Sequence, residues 1–365
     1  MSFKKNVICF FNSNKEWGGG EKWHHDFLCK LNHAGYPVLA ITHVAGELGA
    51  KLARLKCLQL QIRVRNLSFI NPVKVFRVYL FLKRNNVKTV ILGLPADIKL
   101  GGIAAKMAGV NKIIYRRGSA IPVRNHFLNR FIFKKVLTDV IVNSREIKKN
   151  VLINNPGIID EHKIHIIYNS VEISDFQQIS YPSLDYSENG KEIYLGNAGR
   201  FVEQKGQHFL FKIAEQLNLS STPFRMLIAG KGPLEKKLKA ETKRLGFESQ
   251  IIFTDFVQDM NNWFRKIDLF LLPSLHEGTA NVVLEAMAAC KPVIAFNLSS
   301  MPELIEDGQT GYLVNFGDVN GFVEKIAFLY RNKSLIKILG ENARNKVARD
   351  FNSDNALAQL INMVQ

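Results

Sequence analysis

Cysteine is scarce in this chain of 365 residues: Cys9, Cys29, Cys57 and Cys290 are the only four. None forms a C-x-x-C pair, which argues against a zinc ribbon or a disulfide scaffold, and a reducing cytoplasm is the simplest compartment. No uninterrupted apolar stretch approaches the ~18 residues of a spanning helix. The start, Met1 to Asn12, holds an apolar run of only about six residues, too short for a signal peptide's core. There is no low-complexity tract and no short-period repeat. D-x-D does not occur, so no aspartate pair is offered to a divalent ion. G-x-G-x-x-G does not occur either, which leaves a dinucleotide fingerprint unsupported.

What is present is an excess of positive charge. The 49 Lys and Arg exceed the 32 Asp and Glu by 17. The excess is confined to one half: residues 1–172 hold 28 basic against 10 acidic side chains, whereas residues 173–365 hold 21 against 22. Such asymmetry fits two domains with different partners, and the first half points to an anionic one. An apolar content of 47% with 22% charged residues is ordinary for a globular chain.

Short apolar runs alternate with helical patterns throughout, which predicts parallel sheets with crossover helices. In the first half, strands are expected at Val7–Phe11, Val38–Thr42, Thr89–Leu92, Lys112–Tyr115 and Val140–Asn143, the last closing the series. Helices are expected at about Glu21–His33 and Lys99–Ala108. Residues 173–190 are polar, carry Pro182 and lack periodicity, so they read as a linker. The alternation restarts with strands at Ile193–Gly199, Arg225–Ala229, Ile251–Phe253, Leu269–Leu272 and Pro292–Phe296. Helices intervene at Gln207–Leu217, Leu234–Leu245 and Asn281–Ala289. Ligands of open parallel sheets bind beyond the carboxyl ends of the strands, here in a cleft between two domains.

Three motifs fall in such loops. Gly18-Gly19-Gly20-Glu21 follows the first strand and opens a helix, where backbone and free amides can approach a phosphate; a plain tight turn is the alternative. Arg200 and Lys205, in Gly199-Arg-Phe-Val-Glu-Gln-Lys-Gly206, join a planar fork to a point charge, a natural pair for a diphosphate. Pro273-Ser-Leu-His-Glu277-Gly-Thr-Ala-Asn281 leads into Val282–Ala289 and sets Glu277 and Glu285 eight positions apart. If the helix begins near Thr279, Glu285 lies ~9 Å along its axis. Helix-start amides between two carboxylates match the pyrophosphate and the two hydroxyl-rich ends of a nucleotide diphosphosugar. The alternative is a helix with Glu285 on its solvated face.

With Asn169-Ser-Val-Glu172, Gly230-Lys-Gly-Pro233, Leu284-Glu-Ala-Met-Ala288 and Gly311-Tyr-Leu-Val314 in the same order, the chain resembles the family 4 glycosyltransferases over nearly its whole length. The resemblance implies a GT-B fold: α/β, with two Rossmann-like doubly wound domains facing each other across a cleft. The acceptor-binding domain would be 1–172 plus 345–365, the linker 173–190, and the donor-binding domain 191–344. It implies metal-independent hexosyl transfer from a nucleotide sugar with retention, the nucleotide sugar being a co-substrate and no cofactor being needed. Arg200 and Lys205 would stabilise the departing diphosphate, and Glu277 would hold donor-sugar hydroxyls. Gly278, Thr279, Ala280 and Asn281 would meet sugar and phosphate, and Glu285 the ribose. Gly18, Gly19, Gly20, Gly199 and Gly230 would let backbone approach the donor, and Phe256 and Val257 would frame the base, with uracil favoured. Where many members carry a His after the Lys112–Tyr115 strand, this chain has Arg116-Arg117-Gly118, so no general base is assigned. Arg116 and Arg117, with Arg124 and Arg130, are candidates for an anionic group of the acceptor, and the first two also for a phosphate of the donor; simple surface charge is the alternative.

Two segments interleave cations with large apolar residues, 72–84 and 124–137. The first reads as core residues with a solvated basic edge, the second as an attachment to an anionic membrane surface. No nucleic-acid signature occurs, and none is expected as a partner. His24, His25, Cys29 and His33 face different ways along one helix, so a metal site is not expected. The reading is a cytoplasmic, peripheral enzyme of surface-glycan synthesis (lipopolysaccharide or capsule) acting on a glycan or lipid-linked acceptor. Its alternatives are a nucleotide-sugar epimerase of the same fold and a non-catalytic basic membrane-binding protein.

Overall fold

A computed structural model describes residues 5–176 and 192–365. The linker expected at 173–190 lies outside the described residues except for the short helical turn Ile173–Phe176. The chain divides into two compact units, Met1–Asn169 with Asp354–Gln365, and Ser170–Ser353.

The first unit is built on a parallel sheet of β1 Val7–Asn12, β2 Val38–Thr42, β3 Gln59–Gln61, β4 Val87–Leu92, β5 Lys112–Arg117, β6 Asp139–Val142 and β7 Ile164–Ile166. Its order is β3-β2-β1-β4-β5-β6-β7. Side chains alternate across the sheet, and both faces are covered. In β1, Cys9 and Phe11 join one core while Ile8 and Phe10 join the other. Burial pushes the Cys9 thiol upward, as befits a small core residue.

The second sheet holds β8 Ile193–Ala198, β9 Phe224–Ala229, β10 Ile251–Phe253, β11 Leu269–Leu272, β12 Val293–Phe296 and β13 Gly311–Val314. Its order is β10-β9-β8-β11-β12-β13, also parallel. In both sheets the order reverses beside the first strand, between β1 and β4 and between β8 and β11. Loops leave such a switch point in opposite directions and open a crevice there.

Three expectations need correction. Val140–Asn143 does not close the first series, because β7 pairs with β6; at three residues, Ile-His-Ile is too short for a period-2 signal. Arg116 and Arg117 do not follow β5 but belong to it, opposite Ile141 and Val142 of β6. The return to the first unit begins at Asp354 rather than 345. The Lys333–Asp350 helix stays with the second unit because Ile336 and Leu339 enter its core. In the helix that follows, Ala356, Leu360 and Val364 pack in the first unit's core.

Candidate functional site

In the second unit, four loops meet at the carboxyl edge of the sheet. The loop after β8 carries Gly199, Arg200 and Lys205, and the loop after β11 carries Glu277. Lys205 Nζ donates to Glu277 Oε1 at 2.6 Å. Glu277 is 7% exposed, and the Lys205 side chain 21%. Two further bonds bind these loops: Leu275 N–H donates to the Gln204 carbonyl at 2.8 Å, and Gln204 Nε2 to the His276 carbonyl at 2.6 Å. Gly206 explains the closeness. It sits at φ +63°, and a Cβ there would lie 1.9 Å from the Pro273 carbonyl oxygen.

The loops after β9 and β10 join on the other side. Gly230 N–H donates to the Asp255 carbonyl at 2.7 Å, bringing the segment of Phe256 and Val257 beside Gly230. Phe256 is exposed. A Cβ on Gly230 would lie 1.9 Å from the Gly199 carbonyl oxygen.

The Asn281–Ala288 helix starts on Ala280, which has no side-chain acceptor for the first amides. Those amides and the helix dipole favour an anion. The helix begins at Asn281, as expected, so Glu285 lies about 6 Å from its start rather than the ~9 Å that a start at Thr279 would give. Thus the structure groups Gly199, Lys205, Gly230, Glu277 and the turn Gly278–Asn281 at one edge. Arg200 is exposed at the same loop. Sequence motifs named Lys205 and Glu277 separately; their ion pair is new.

In the first unit, Gly18 precedes the Gly19–His33 helix with no side-chain cap. The structure adds a carboxylate to the anion-site picture: buried Glu21 accepts from Asn12 Nδ2 at 3.0 Å. Its Oε2 would lie 3.2 Å from a Cβ on Gly18. Beside this turn is a pocket of about 610 Å³ lined by Glu21, Lys99, Arg116, Arg117, Arg124 and His126, among others. Arg116 and Arg117 are 5% and 7% exposed, which rules out the simple surface-charge reading. Arg116 Nη2 donates to Asn169 Oδ1 at 3.0 Å, and its guanidinium lies 5.2 Å from the Trp23 ring centre. Burial lowers the Arg116 pKa to about 10, against the opposing pull of Glu21. Arg124 lines the pocket, but Arg130 does not; Arg130 bonds Asn125 Oδ1 at 2.9 Å. Lys99 and Glu21 were given no role by sequence, because neither lies next to the arginines in the chain.

His24 braces the glycine turn. Nδ1–H donates to the Gly20 carbonyl at 3.0 Å, and Nε2 is buried without a partner. Burial accordingly lowers its pKa to about 3. The unfolded chain takes up this proton near pH 6.5, so the neutral ring's contribution is present above that pH and is lost as pH falls from 6.5 towards 3. A fall of at most about 1.4 kcal/mol per pH unit is expected in the unfolding free energy of the wild type. In His24→Phe that component should vanish. Denaturant titrations from pH 7 to 4 check this, and identical slopes would refute it.

Of the two basic segments, Pro72–Arg84 is a helix that buries Val75, Val78 and Leu82, in line with a core face and a basic edge. In 124–137, Ile132, Phe133, Val136 and Leu137 are core, while Phe127 is 84% exposed beside the exposed Arg124 and Arg130. Among the described residues no helix is long and apolar enough to cross a membrane.

Residues 185–346 match the family model of group 1 glycosyl transferases. The chain is 25% identical over 233 residues to the capsular polysaccharide biosynthesis glycosyltransferase CapM of Staphylococcus aureus, covering 62% of this chain and 61% of that one. In two further bacterial relatives the match spans 46% and 38% of their length, so the chain aligns with under two thirds of each of these three. It is 26% identical over 309 residues to the Escherichia coli UDP-Gal:alpha-D-GlcNAc-diphosphoundecaprenol alpha-1,3-galactosyltransferase, covering 79% and 78% of the two chains. The crystal structure of Anabaena HepE in complex with UDP and glucose superposes with a TM-score of 0.83 at 20% identity, over 98% of this chain and 99% of that one. The fold is therefore that of the GT-B glycosyltransferases.

Proposed function

We propose that the chain is a retaining, metal-independent glycosyltransferase of family 4. It would move a hexosyl group from a UDP-sugar to a glycan or lipid-linked acceptor in surface-polysaccharide synthesis, at the inner face of an anionic membrane. The observation that carries this reading is the Lys205–Glu277 pair, set at the start of an uncapped helix at a sheet switch point. The family match over 185–346 and the relatives named for capsule and lipid-linked glycan synthesis support it.

In this reading the bond from the sugar's anomeric carbon to the β-phosphate oxygen breaks, and the diphosphate leaves with the electron pair. Arg200, Lys205 and the helix-start amides stabilise the developing charge without a metal ion. Glu277, oriented by Lys205, holds sugar hydroxyls, and Glu285 accepts from the ribose. The acceptor hydroxyl forms the new bond, and its proton passes to the departing phosphate oxygen.

The test is incubation with UDP-hexoses, an acceptor pool from bacterial membranes and a metal chelator. Acceptor-dependent UDP release with retained anomeric configuration is expected. Activity abolished by the chelator would refute metal independence, and acceptor-independent change of the sugar would identify an epimerase.

A further inference from the structure

The pocket of the first unit contains more positive charge than the fold uses. Arg116 and Arg117 are both more than nine-tenths buried, yet among the described residues neither lies within 4.0 Å of a carboxylate. Each has a buried Nε without a partner. The partners they do have are neutral: Asn169 for Arg116, and the Tyr115 hydroxyl and the Ile121 carbonyl for Arg117. A buried guanidinium without a counter-charge is costly, because desolvation is not offset by attraction. Glu21 partly compensates Arg116, whose charge it favours. Lys99 and Arg124 line the same cavity, so four permanent cations face one carboxylate among the lining side chains.

We propose that this pocket is a subsite for a diphosphate group of the acceptor, with Arg117 as its principal clamp and Arg116, Lys99 and Arg124 completing the charge. This rests on the transferase reading for the word acceptor; the anion site itself does not. Planar guanidinium forks suit phosphate oxygens. A cavity of about 610 Å³ is larger than one phosphate needs, and several cations match two linked phosphates better than one carboxylate. The rim adds a second feature. Arg117 Nη2 donates to the carbonyl of Ile121, which is 74% exposed, and the exposed Phe127 follows His126 of the lining. An apolar lip beside a cationic pocket suits a diphosphate carried on a hydrocarbon chain.

The experiment measures calorimetric binding of inorganic pyrophosphate to the full-length Arg200→Ala chain, which weakens the second unit's proposed site. Adding Arg117→Met should reduce affinity about tenfold, the effect of losing a charged hydrogen-bonding partner. If circular dichroism shows that this variant does not fold, Lys99→Gln/Arg124→Gln, whose side chains are not buried, should give a similar loss. Unchanged affinity in a folded variant, or no binding by the parent, overturns the proposal. Flotation with phosphatidylcholine vesicles bearing a polyprenyl diphosphate, but not with polyprenol vesicles, assigns the group to a lipid. Pyrophosphate binding without flotation assigns it to a soluble substrate. UDP binding to the otherwise wild-type Arg117→Met chain is read in parallel. If UDP never binds while pyrophosphate binding depends on Arg117, the transferase reading fails and the anion site stands.

Discussion

Lys205→Ala is expected to lower the rate of sugar transfer about 10²–10³-fold, the loss typical when one preorganised group facing developing charge is removed. It should also cost stability. Glu277, 7% exposed, keeps its carboxylate but loses the ammonium at 2.6 Å. An unpaired buried charge costs about 3 kcal/mol or more. Glu277→Ala should be as damaging to transfer but gentler on the fold, because the Lys205 side chain is 21% exposed and can turn towards water. Transfer assays with a UDP-sugar and urea unfolding of both variants and their double separate the two effects. In the double variant the rate loss should not multiply, since the two groups act as a unit. Wild-type turnover in either single variant would remove the pair from the site.

Gly230→Ala should unfold or distort the second unit's binding edge. The residue sits at φ +140°, and an added Cβ would lie 1.9 Å from the Gly199 carbonyl oxygen and 3.1 Å from the Phe201 ring. Backbone strain and overpacking together cost about 3 kcal/mol or more. Gly246→Ala is the control: its φ is +73°, but nothing lies within 4 Å of the new methyl group. It should cost only about 1–2 kcal/mol, the strain of the left-handed region alone. Chemical denaturation midpoints and UDP binding compare them. Equal losses would mean that the approach of the loops after β8 and β9 is not tight.

Much of this was legible in the sequence because the signals are local. The expected bounds of Val38–Thr42 and Leu269–Leu272 match the structure, since a buried parallel strand reads as an apolar run; those of Ile251–Phe253 match too, although Ile252 of this edge strand is exposed. Gln59–Gln61 was missed because a polar edge strand of three residues carries no such run. The apolar run of β5 ends at Tyr115, but its ladder continues through Arg116 and Arg117, opposite Ile141 and Val142.

The sequence by itself determined the two α/β halves, the confinement of the excess charge to the first, and the residue types at the candidate site. Tertiary structure decided which of them meet. Lys205 and Glu277 are 72 residues apart, and Arg116 and Asn169 are 53 apart. A periodic pattern specifies a strand and its two faces. Which loops become neighbours follows from strand order, and only the folded sheet fixes that. The same holds for the charge of the first half. Composition counts Arg117 as one cation among many, whereas the fold buries it to 7% exposure against the Tyr115 hydroxyl and the Ile121 carbonyl.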